Sequence, residues 1–485
     1  MFQTYSFLFL FLPVLLAGWY LLLHRGMHRA ALSFLCAMSL MFYASFGVRA
    51  LLLLAGSVLL TVLISRLMTL PGVRARGALV KGLAAAGIVS QLFLLLLYKI
   101  PPSMRLLLPV GLGFYTLRHI AYLADVANEG ERDDLYSVLA FLLFFPTLTQ
   151  GPITLREDMI GQFTTATERP FRAEFLARGL SLFTLGLAKK LLVADTLGHF
   201  VDLSYEYLPR TETLSAAVAV FLFVPQLYFD FSGYCDMAEG ISGMLGLRLP
   251  LNFDSPLQAA SAKELWRRWH ITLSRFFLRY VYQPLGGSRR GKGRAVLLTL
   301  MVFLISGFWH GSTLGYLIWG FLAGLPVALR ALGKDSSLFR TLDRLPLVLR
   351  RLVTFVWVSL AFVFFRAPDV ETALTMLRHL LLPVPISRAF IRVLPTLVVT
   401  PESWLVKNLF AYANPALEEL GAWLFAALFL CLVIVLLCAK NARRRVSEWT
   451  EAQFCSLPRA LLLSLLLAWS VLSFSGVGSF LYFQY

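Results

Sequence analysis

The sequence predicts an all-α, polytopic integral membrane protein. Of its 485 residues, 58% are hydrophobic and only 15% are charged, whereas about a quarter of the residues of soluble proteins are charged. The mean hydropathy is +0.72, and the apolar residues gather in segments of about 20, the length of a membrane-spanning helix. We expect about ten to thirteen membrane helices, together with interfacial or re-entrant helices. The candidate spans are 4–23, 30–46, 50–70, 78–98, 136–151, 174–197, 213–232, 295–309, 312–332, 350–366, 420–439 and 459–478.

Membrane topology explains the net charge of +17 better than nucleic-acid binding does. Lys and Arg gather in the cytoplasmic loops of membrane proteins, so the basic clusters at 74–76, 288–294 and 440–445 are predicted to face the cytoplasm. We expect contact with membrane lipid and no nucleic-acid partner. The first span lacks a basic region before it, which favours an uncleaved helix. The five cysteines show no metal-ligand spacing, so neither a disulfide framework nor a metal site is predicted.

A polar, basic segment at 248–292 interrupts the apolar pattern. Ser261 followed by Glu264 forms a capping-box pattern, which predicts a helix start. The helix is expected to run to about Tyr282, before Pro284 ends it. Its arginines and aromatic residues are typical of an interfacial helix, and we expect Arg275 and Arg279 to meet lipid headgroups.

The same segment carries one of two histidines that stand among tryptophans. On a continuous helix, His270 would share a face with Trp266 and Arg267. A lone helical histidine is more often a structural hydrogen-bonding residue than a catalyst, and the context shifts that balance only modestly.

The second histidine, His310, lies in the apolar run GFWHGSTLGYLIWG. Ionisable groups at membrane depth are costly and are therefore functional candidates, and Gly307 and Gly311 allow close approach of other segments. A hydrogen-bonded structural histidine is the alternative reading. Two intramembrane carboxylates, Asp230 and Asp236, either line a cavity or pair with an arginine, and pairing is favoured.

Six stretches together resemble the membrane-bound O-acyltransferases, in the bacterial branch of the alginate O-acetyltransferases and their cellulose-acetylating relatives. The D-alanine transfer proteins of teichoic acid modification are more distant members. The matching stretches are LPVGLGFYTLRHIAYLADV (108–126), FFPTLTQGPI (144–153), YFDFSGYCDMAEGISGMLGLRLPLNF (228–253), ELWRRWHITLSRFFLRYVYQPLGG (264–287), GFWHGSTLGYLIWG (307–320) and FVFFRAPDVETAL (362–374). The departures from the relatives are Arg118, His119, Thr149 and Gln150.

The resemblance implies one membrane-embedded domain, 1–485, with N-terminal helices at 1–100, a catalytic core at 101–380, and a loop and C-terminal helices at 381–485. It implies a tunnel with His310 as the catalytic histidine and His270 as a second site histidine. It also implies a bacterial inner-membrane location. The expected substrate-binding residues are Trp309, Trp266, Arg267, Arg268, Trp269, Asp236 and Tyr316.

The chemistry expected of such a site is acyl transfer from a thioester to a hydroxyl. A neutral imidazole suits the general base, and indole or backbone N–H groups suit the developing oxyanion. Direct transfer is favoured because no nucleophile-elbow pattern occurs, although an acyl-enzyme on Ser306 or Ser312 stays open. The expected donor is acetyl-CoA, with no other cofactor, and the expected partners are an exopolysaccharide and a periplasmic polysaccharide acetyltransferase-type protein. The alternatives are D-alanyl transfer to teichoic acids from a carrier protein, and a proton-coupled transporter or flippase.

Overall fold

The protein is helical throughout the described part of the chain. The computed structural model describes residues 2–100, 108–166, 171–206, 208, 213–333, 336–382, 401–414, 418–450, 453 and 456–476, and no strand occurs within them. The α-helices are α1 (Leu12–His24), α2 (His28–Ala44), α3 (Val48–Met68), α4 (Pro71–Arg74), α5 (Gly77–Lys99), α6 (Leu112–Glu129), α7 (Leu135–Leu143), α8 (Arg156–Ala166), α9 (Ala173–Ala188), α10 (Asp195–Glu206), α11 (Thr213–Met244), α12 (Ala262–Arg268), α13 (Ile271–Phe277), α14 (Lys292–His310), α15 (Leu314–Leu332), α16 (Ser337–Arg344), α17 (Leu347–Arg366), α18 (Val370–Leu381), α19 (Pro401–Ala413), α20 (Glu418–Cys438), α21 (Ala442–Glu448) and α22 (Leu457–Leu472).

Seven helices in the described ranges are long and apolar enough to cross a membrane, or up to eight if the bent pair at the end of α20 and α21 is one span. They are Phe7–His24, which includes a π-helical turn at Phe7–Phe11, and α3, α5, α11, α14, α15 and α17. This number is below the predicted ten to thirteen because several apolar segments form shorter helices. For example, α2 has 17 residues and α22 has 16.

The centre of the fold is α11, a 32-residue helix that is largely buried. It crosses α9 at very short range because glycines face glycines. A Cβ at Gly186 would lie 2.6 Å from the carbonyl oxygen of Gly233, and one at Gly240 would lie 2.6 Å from that of Gly179. Small residues allow membrane helices to approach closely and gain van der Waals contact, so any larger side chain here would separate the two helices.

The predicted span at 136–151 is not a continuous helix. Helix α7 ends at Leu143, and a 3-10 turn at Phe145–Thr147 and an irregular segment follow. The buried Arg118 guanidinium donates to the carbonyl oxygens of Phe141 (3.1 Å), Leu142 (3.4 Å) and Thr147 (2.5 Å). Non-helical backbone at membrane depth is tolerated only where protein groups satisfy it, and Arg118 does this here.

The predicted continuous helix from Ser261 to Tyr282 is wrong in its middle. Its start is confirmed, since the Ser261 hydroxyl accepts from the backbone N–H of Glu264 at 3.3 Å. However, α12 ends at Arg268, and His270 adopts left-handed backbone angles (φ 46°, ψ 52°) before α13 begins. The expected shared face of His270 and Trp266 is therefore absent, and the chain turns sharply at the histidine.

Tertiary hydrogen bonds stabilise this turn against its local cost. The N–H of Ile271 donates to the carbonyl oxygen of Asn252 at 2.9 Å, and the N–H of Asp254 donates to that of Arg268 at 2.9 Å. A left-handed backbone is uncommon outside glycine, although histidine is enriched among the exceptions. Strained residues of this kind persist where the surrounding structure determines them, often at functional sites.

Candidate active site

The last residue of α14, His310, lies in a cage of aromatic side chains. The residue is 6% exposed. Its ring centroid lies 4.8 Å from that of Trp309, 5.2 Å from that of Trp319 and 5.3 Å from that of Phe365. The Trp319 and imidazole planes are nearly perpendicular, at 88°. Rings on several sides fix the imidazole and exclude water from it.

Two glycines allow the chain around His310 to turn back on itself. A Cβ at Gly311 would overlap the Tyr316 ring, and a Cβ at Gly307 would overlap the Tyr316 carbonyl oxygen. Tyr316, a predicted substrate-binding residue, therefore lies directly against the turn after the histidine. The buried Lys99 ammonium donates to the carbonyl oxygen of Trp309, which brings the end of α5 to the same place.

The structure brings the two predicted site histidines together. The ring centroids of His270 and His310 are 6.4 Å apart, and His270 is 6.1 Å from Trp309. His270 is 3% exposed and packs edge-on against Phe231 of α11 at 4.9 Å. Residues 40 apart in sequence thus form one buried pair at the centre of the helical bundle.

Asn252 holds His270 and determines which imidazole nitrogen carries the proton. The Asn252 Oδ1 accepts from the Thr272 backbone N–H (3.3 Å) and the Thr272 hydroxyl (2.8 Å), and it lies 3.1 Å from His270 Nδ1. Since the backbone N–H is only a donor, Oδ1 is an acceptor, and Nδ1 must donate to it. Nε2 of the neutral ring is then the proton acceptor. Burial lowers the pKa of His270 to about 3, so the ring is neutral near pH 7.

Ion pairs anchor the helical segment that follows His270. Arg275 forms a two-point pair with Asp158, with one N–O distance of 2.9 Å. Arg279 pairs with Asp125 at 3.0 Å and with Glu157 at 2.8 Å. Acidic side chains of α6 and α8 thus pair with both guanidinium groups, whose side chains remain 32% and 31% exposed, so the predicted contact with lipid headgroups stays a prediction. The pairs fix α13 and the π-helical turn after it, Leu278–Tyr282, against α6 and α8.

A charged cleft of about 560 Å³ lies beside α12. The predicted residues Arg267 and Arg268 line it, and Arg268 also pairs with Glu264 at 2.6 Å. The other lining residues are Asp254, Ser261, Lys263, Glu264 and Arg330.

The tryptophans of this segment face inwards. The Trp266 indole N–H donates to the Ala323 carbonyl oxygen at 3.1 Å, and its ring lies 6.0 Å from Trp319. Trp269 packs against Phe253 at 5.4 Å. Two indole rings in contact, Trp266 and Trp319, thus lie between α12, the helix beside the cleft, and His310.

Asp236, another predicted site residue, forms an ion pair with Lys189 at 2.5 Å. Earlier on the same helix, Asp230 pairs with Lys190 at 2.8 Å. The predicted pairing of these carboxylates is found, but the partners are lysines of the π-helical turn Lys189–Ala194 and not arginines. The pairs join this turn to α11.

Sequence reasoning did not single out Asn252 or Trp319 as site residues. Asn252 lies in the turn-rich end of the stretch 228–253 that resembles the family, and only its contacts reveal its role. Gln150 was noted only as a departure from the relatives. It is fully buried, and neither side-chain amide atom has a hydrogen-bond partner within the described residues. A buried amide without partners costs about 1–3 kcal/mol per group, which marks Gln150 as a candidate ligand contact.

Comparisons with known proteins identify the family of the chain. The model of the membrane-bound O-acyltransferase family matches residues 86–332. A peptidoglycan O-acetyltransferase of Helicobacter pylori is 34% identical over 420 residues, covering 78% of this chain and 79% of the relative. A probable alginate O-acetylase of Pseudomonas aeruginosa is 34% identical over 395 residues, covering 77% and 74%.

A teichoic acid D-alanyltransferase of Bacillus subtilis is also similar, at 25% identity over 277 residues, covering 54% of this chain and 70% of the relative. The matched range includes both histidines, the residues that line the cleft beside α12, and Trp309 and Trp319 of the cage around His310. The chain therefore belongs to the membrane-bound O-acyltransferase family and is a multi-pass membrane acyltransferase.

Proposed function

We propose that the protein takes an acetyl group from cytoplasmic acetyl-CoA and supplies it for O-acetylation of an extracytoplasmic polysaccharide. The observation that carries the proposal is the buried pair of His310 and His270, with ring centroids 6.4 Å apart in an aromatic cage. A base that must remain neutral until it accepts a proton benefits from such an environment. The names of the two relatives at 34% identity, both O-acetyl transfer proteins, support the acetyl group.

In the proposed reaction His310 accepts the proton of the acceptor hydroxyl as its oxygen attacks the thioester carbonyl. The tetrahedral intermediate collapses, the carbon–sulfur bond breaks, and the thiolate leaving group receives the proton from His310. The products are the acetyl ester and free CoA thiol. His270 is held neutral by Asn252 and by burial. A positive charge on His270 would oppose formation of the imidazolium at His310, and the neutral ring avoids this.

The donor is proposed to bind in the cleft beside α12. Lys263, Arg267, Arg268 and Arg330 line this cleft, and clustered cations attract the phosphates of CoA. Asp254 of the cleft pairs at 2.7 Å with Arg444, a member of the basic cluster predicted to face the cytoplasm. These features support donor entry from the cytoplasmic side of the bacterial inner membrane.

The acceptor is proposed to approach from the opposite side, directly or through a periplasmic acetyltransferase-type partner. Peptidoglycan and alginate are the candidate polymers, because the two relatives at 34% identity are named for them. The similarity to a teichoic acid D-alanyltransferase supports a second candidate, transfer of D-alanine from a carrier protein. The two functions are distinguished by the donor that loses its acyl group, which is either acetyl-CoA or the D-alanyl carrier protein.

The test uses the purified full-length protein in proteoliposomes with radiolabelled acetyl-CoA and isolated alginate or peptidoglycan. We expect label in the polymer with wild type and none with His310→Ala, while His24→Ala, a change at an exposed helix end, behaves as wild type. Absence of acetyl transfer by wild type, with transfer from D-alanyl carrier protein, would replace the acetyl donor with the alternative. Full transfer by His310→Ala would refute the role of this histidine.

A further inference from the structure

The indole N–H of Trp319 is a buried hydrogen-bond donor without an acceptor among the residues that the structure describes. Trp319 lies on α15 and is 3% exposed. Other indoles of the described chain do have acceptors. Trp266 donates to the Ala323 carbonyl oxygen at 3.1 Å, Trp309 to that of Gly113 at 3.3 Å, and Trp357 to that of Leu322 at 3.3 Å.

An unsatisfied buried donor is costly, so its presence needs a reason. Leaving such a group without an acceptor costs about 1–3 kcal/mol, and most buried polar side-chain atoms in proteins have a partner. A phenylalanine at this position would fill most of the same space without that cost. A ligand that supplies an acceptor atom during the reaction would account for the indole.

The position of Trp319 matches the reacting atoms. Its ring centroid lies 5.2 Å from that of His310, and the two planes are nearly perpendicular. Phe365 at 5.1 Å and Phe362 at 5.3 Å pack against the indole and fix its orientation. A donor that is fixed before the reaction, in a site from which water is excluded, stabilises developing negative charge strongly.

We propose that the Trp319 indole N–H donates a hydrogen bond to the carbonyl oxygen of the thioester as that oxygen becomes negatively charged. The proposal rests on the proposed acetyl transfer. As the acceptor oxygen bonds to the carbonyl carbon, the carbon–oxygen π electrons move onto the carbonyl oxygen, and His310 takes the hydroxyl proton. The hydrogen bond from Trp319 strengthens at this point. It weakens again when the carbonyl re-forms and the thiolate leaves with the proton from His310.

The test replaces Trp319 with benzothienylalanine, in which a sulfur atom stands where the N–H was and the bicyclic shape is kept. The same replacement at Trp357 is the matched control, because that indole is 38% exposed and lies outside the site. Acetyl transfer in proteoliposomes gives kcat and KM for acetyl-CoA, and thermal unfolding in detergent reports on folding. Trp319→Phe provides a second variant that retains an aromatic ring.

Removal of one oxyanion donor lowers kcat by about 10²–10³-fold. We expect this loss in kcat at position 319, with KM for acetyl-CoA and the unfolding temperature close to wild type, and activity within about twofold of wild type at position 357. If the protein with benzothienylalanine in place of Trp319 is folded and keeps its kcat, the role of Trp319 is overturned while the proposed function stays intact. If wild type transfers no acetyl group from acetyl-CoA, the proposed function fails and this inference fails with it.

Discussion

Asn252 provides a quantitative test of how the fold holds His270. Its Oδ1 is the acceptor for the Thr272 N–H, the Thr272 hydroxyl and His270 Nδ1. Leucine has a similar size but no hydrogen-bond acceptor. Asn252→Leu therefore leaves the Thr272 N–H and the imidazole N–H buried without an acceptor. At about 1–3 kcal/mol for each unsatisfied donor, the free energy of unfolding should fall by about 2–6 kcal/mol.

Asn252→Asp is the matched variant, because its carboxylate keeps all three acceptor contacts. We expect a smaller loss of stability than with leucine. The added negative charge next to the imidazole favours its protonated form, which raises the pKa of His270 from about 3 by about 1–3 units.

Both variants can be measured by denaturant titration in detergent and by the pH dependence of acetyl transfer between pH 3 and 9. The aspartate variant should show an acidic limb at higher pH than wild type. The reasoning about Asn252 would be refuted if the leucine variant unfolded within about 0.5 kcal/mol of wild type, or if the pH profiles of the aspartate variant and wild type coincided.

Three further predictions follow from the described contacts. Lys190→Met removes the counter-charge of the buried Asp230 carboxylate and should lower the free energy of unfolding by about 3–5 kcal/mol; a denaturant titration equal to wild type would contradict this. Phe365→Ala enlarges the cage beside His310, so the ratio of kcat/KM for butyryl-CoA to that for acetyl-CoA should rise by about tenfold or more, and an unchanged ratio counts against the cage as a size filter. Burial keeps His270 unprotonated in the folded state, whereas the unfolded chain binds a proton below about pH 6.5. The free energy of unfolding should therefore fall with decreasing pH by up to about 1.4 kcal/mol per pH unit. His270→Gln should reduce this slope, and an equal slope in both proteins would refute the assignment of the slope to His270.

The membrane class, the family and the two histidines could be predicted because each depends on local patterns. Apolar segments identify spans, and the motif around His310 stays within one helix and the turn that follows it. The Ser261 cap was equally visible, since a cap is a contact between residues three apart. The early end of the helix Leu135–Leu143 could not be predicted. The group that satisfies the carbonyl oxygens at this end is Arg118, which lies on another helix.

The turn at His270 could not be predicted because nothing local requires it. The residues from Arg267 to Thr272 include neither glycine nor proline, and their pattern suits a helix. Hydrogen bonds from a segment about 18 residues earlier, through Asn252, outweigh that preference. The ionic partners of Arg275 and Arg279 also come from distant helices, so the basic amphipathic pattern alone could not identify them.

The role of His310 as general base is tested most directly by His310→Gln, measured in two ways on the same preparation. The first is kcat for acetyl transfer in proteoliposomes, and the second is the Kd of a thioether analogue of acetyl-CoA that cannot transfer its acetyl group. Loss of a general base lowers the rate by about 10²–10⁴-fold, and we predict that loss with a Kd close to wild type. A glutamine variant that binds the analogue normally and transfers acetyl groups within about tenfold of the wild-type rate would contradict the account.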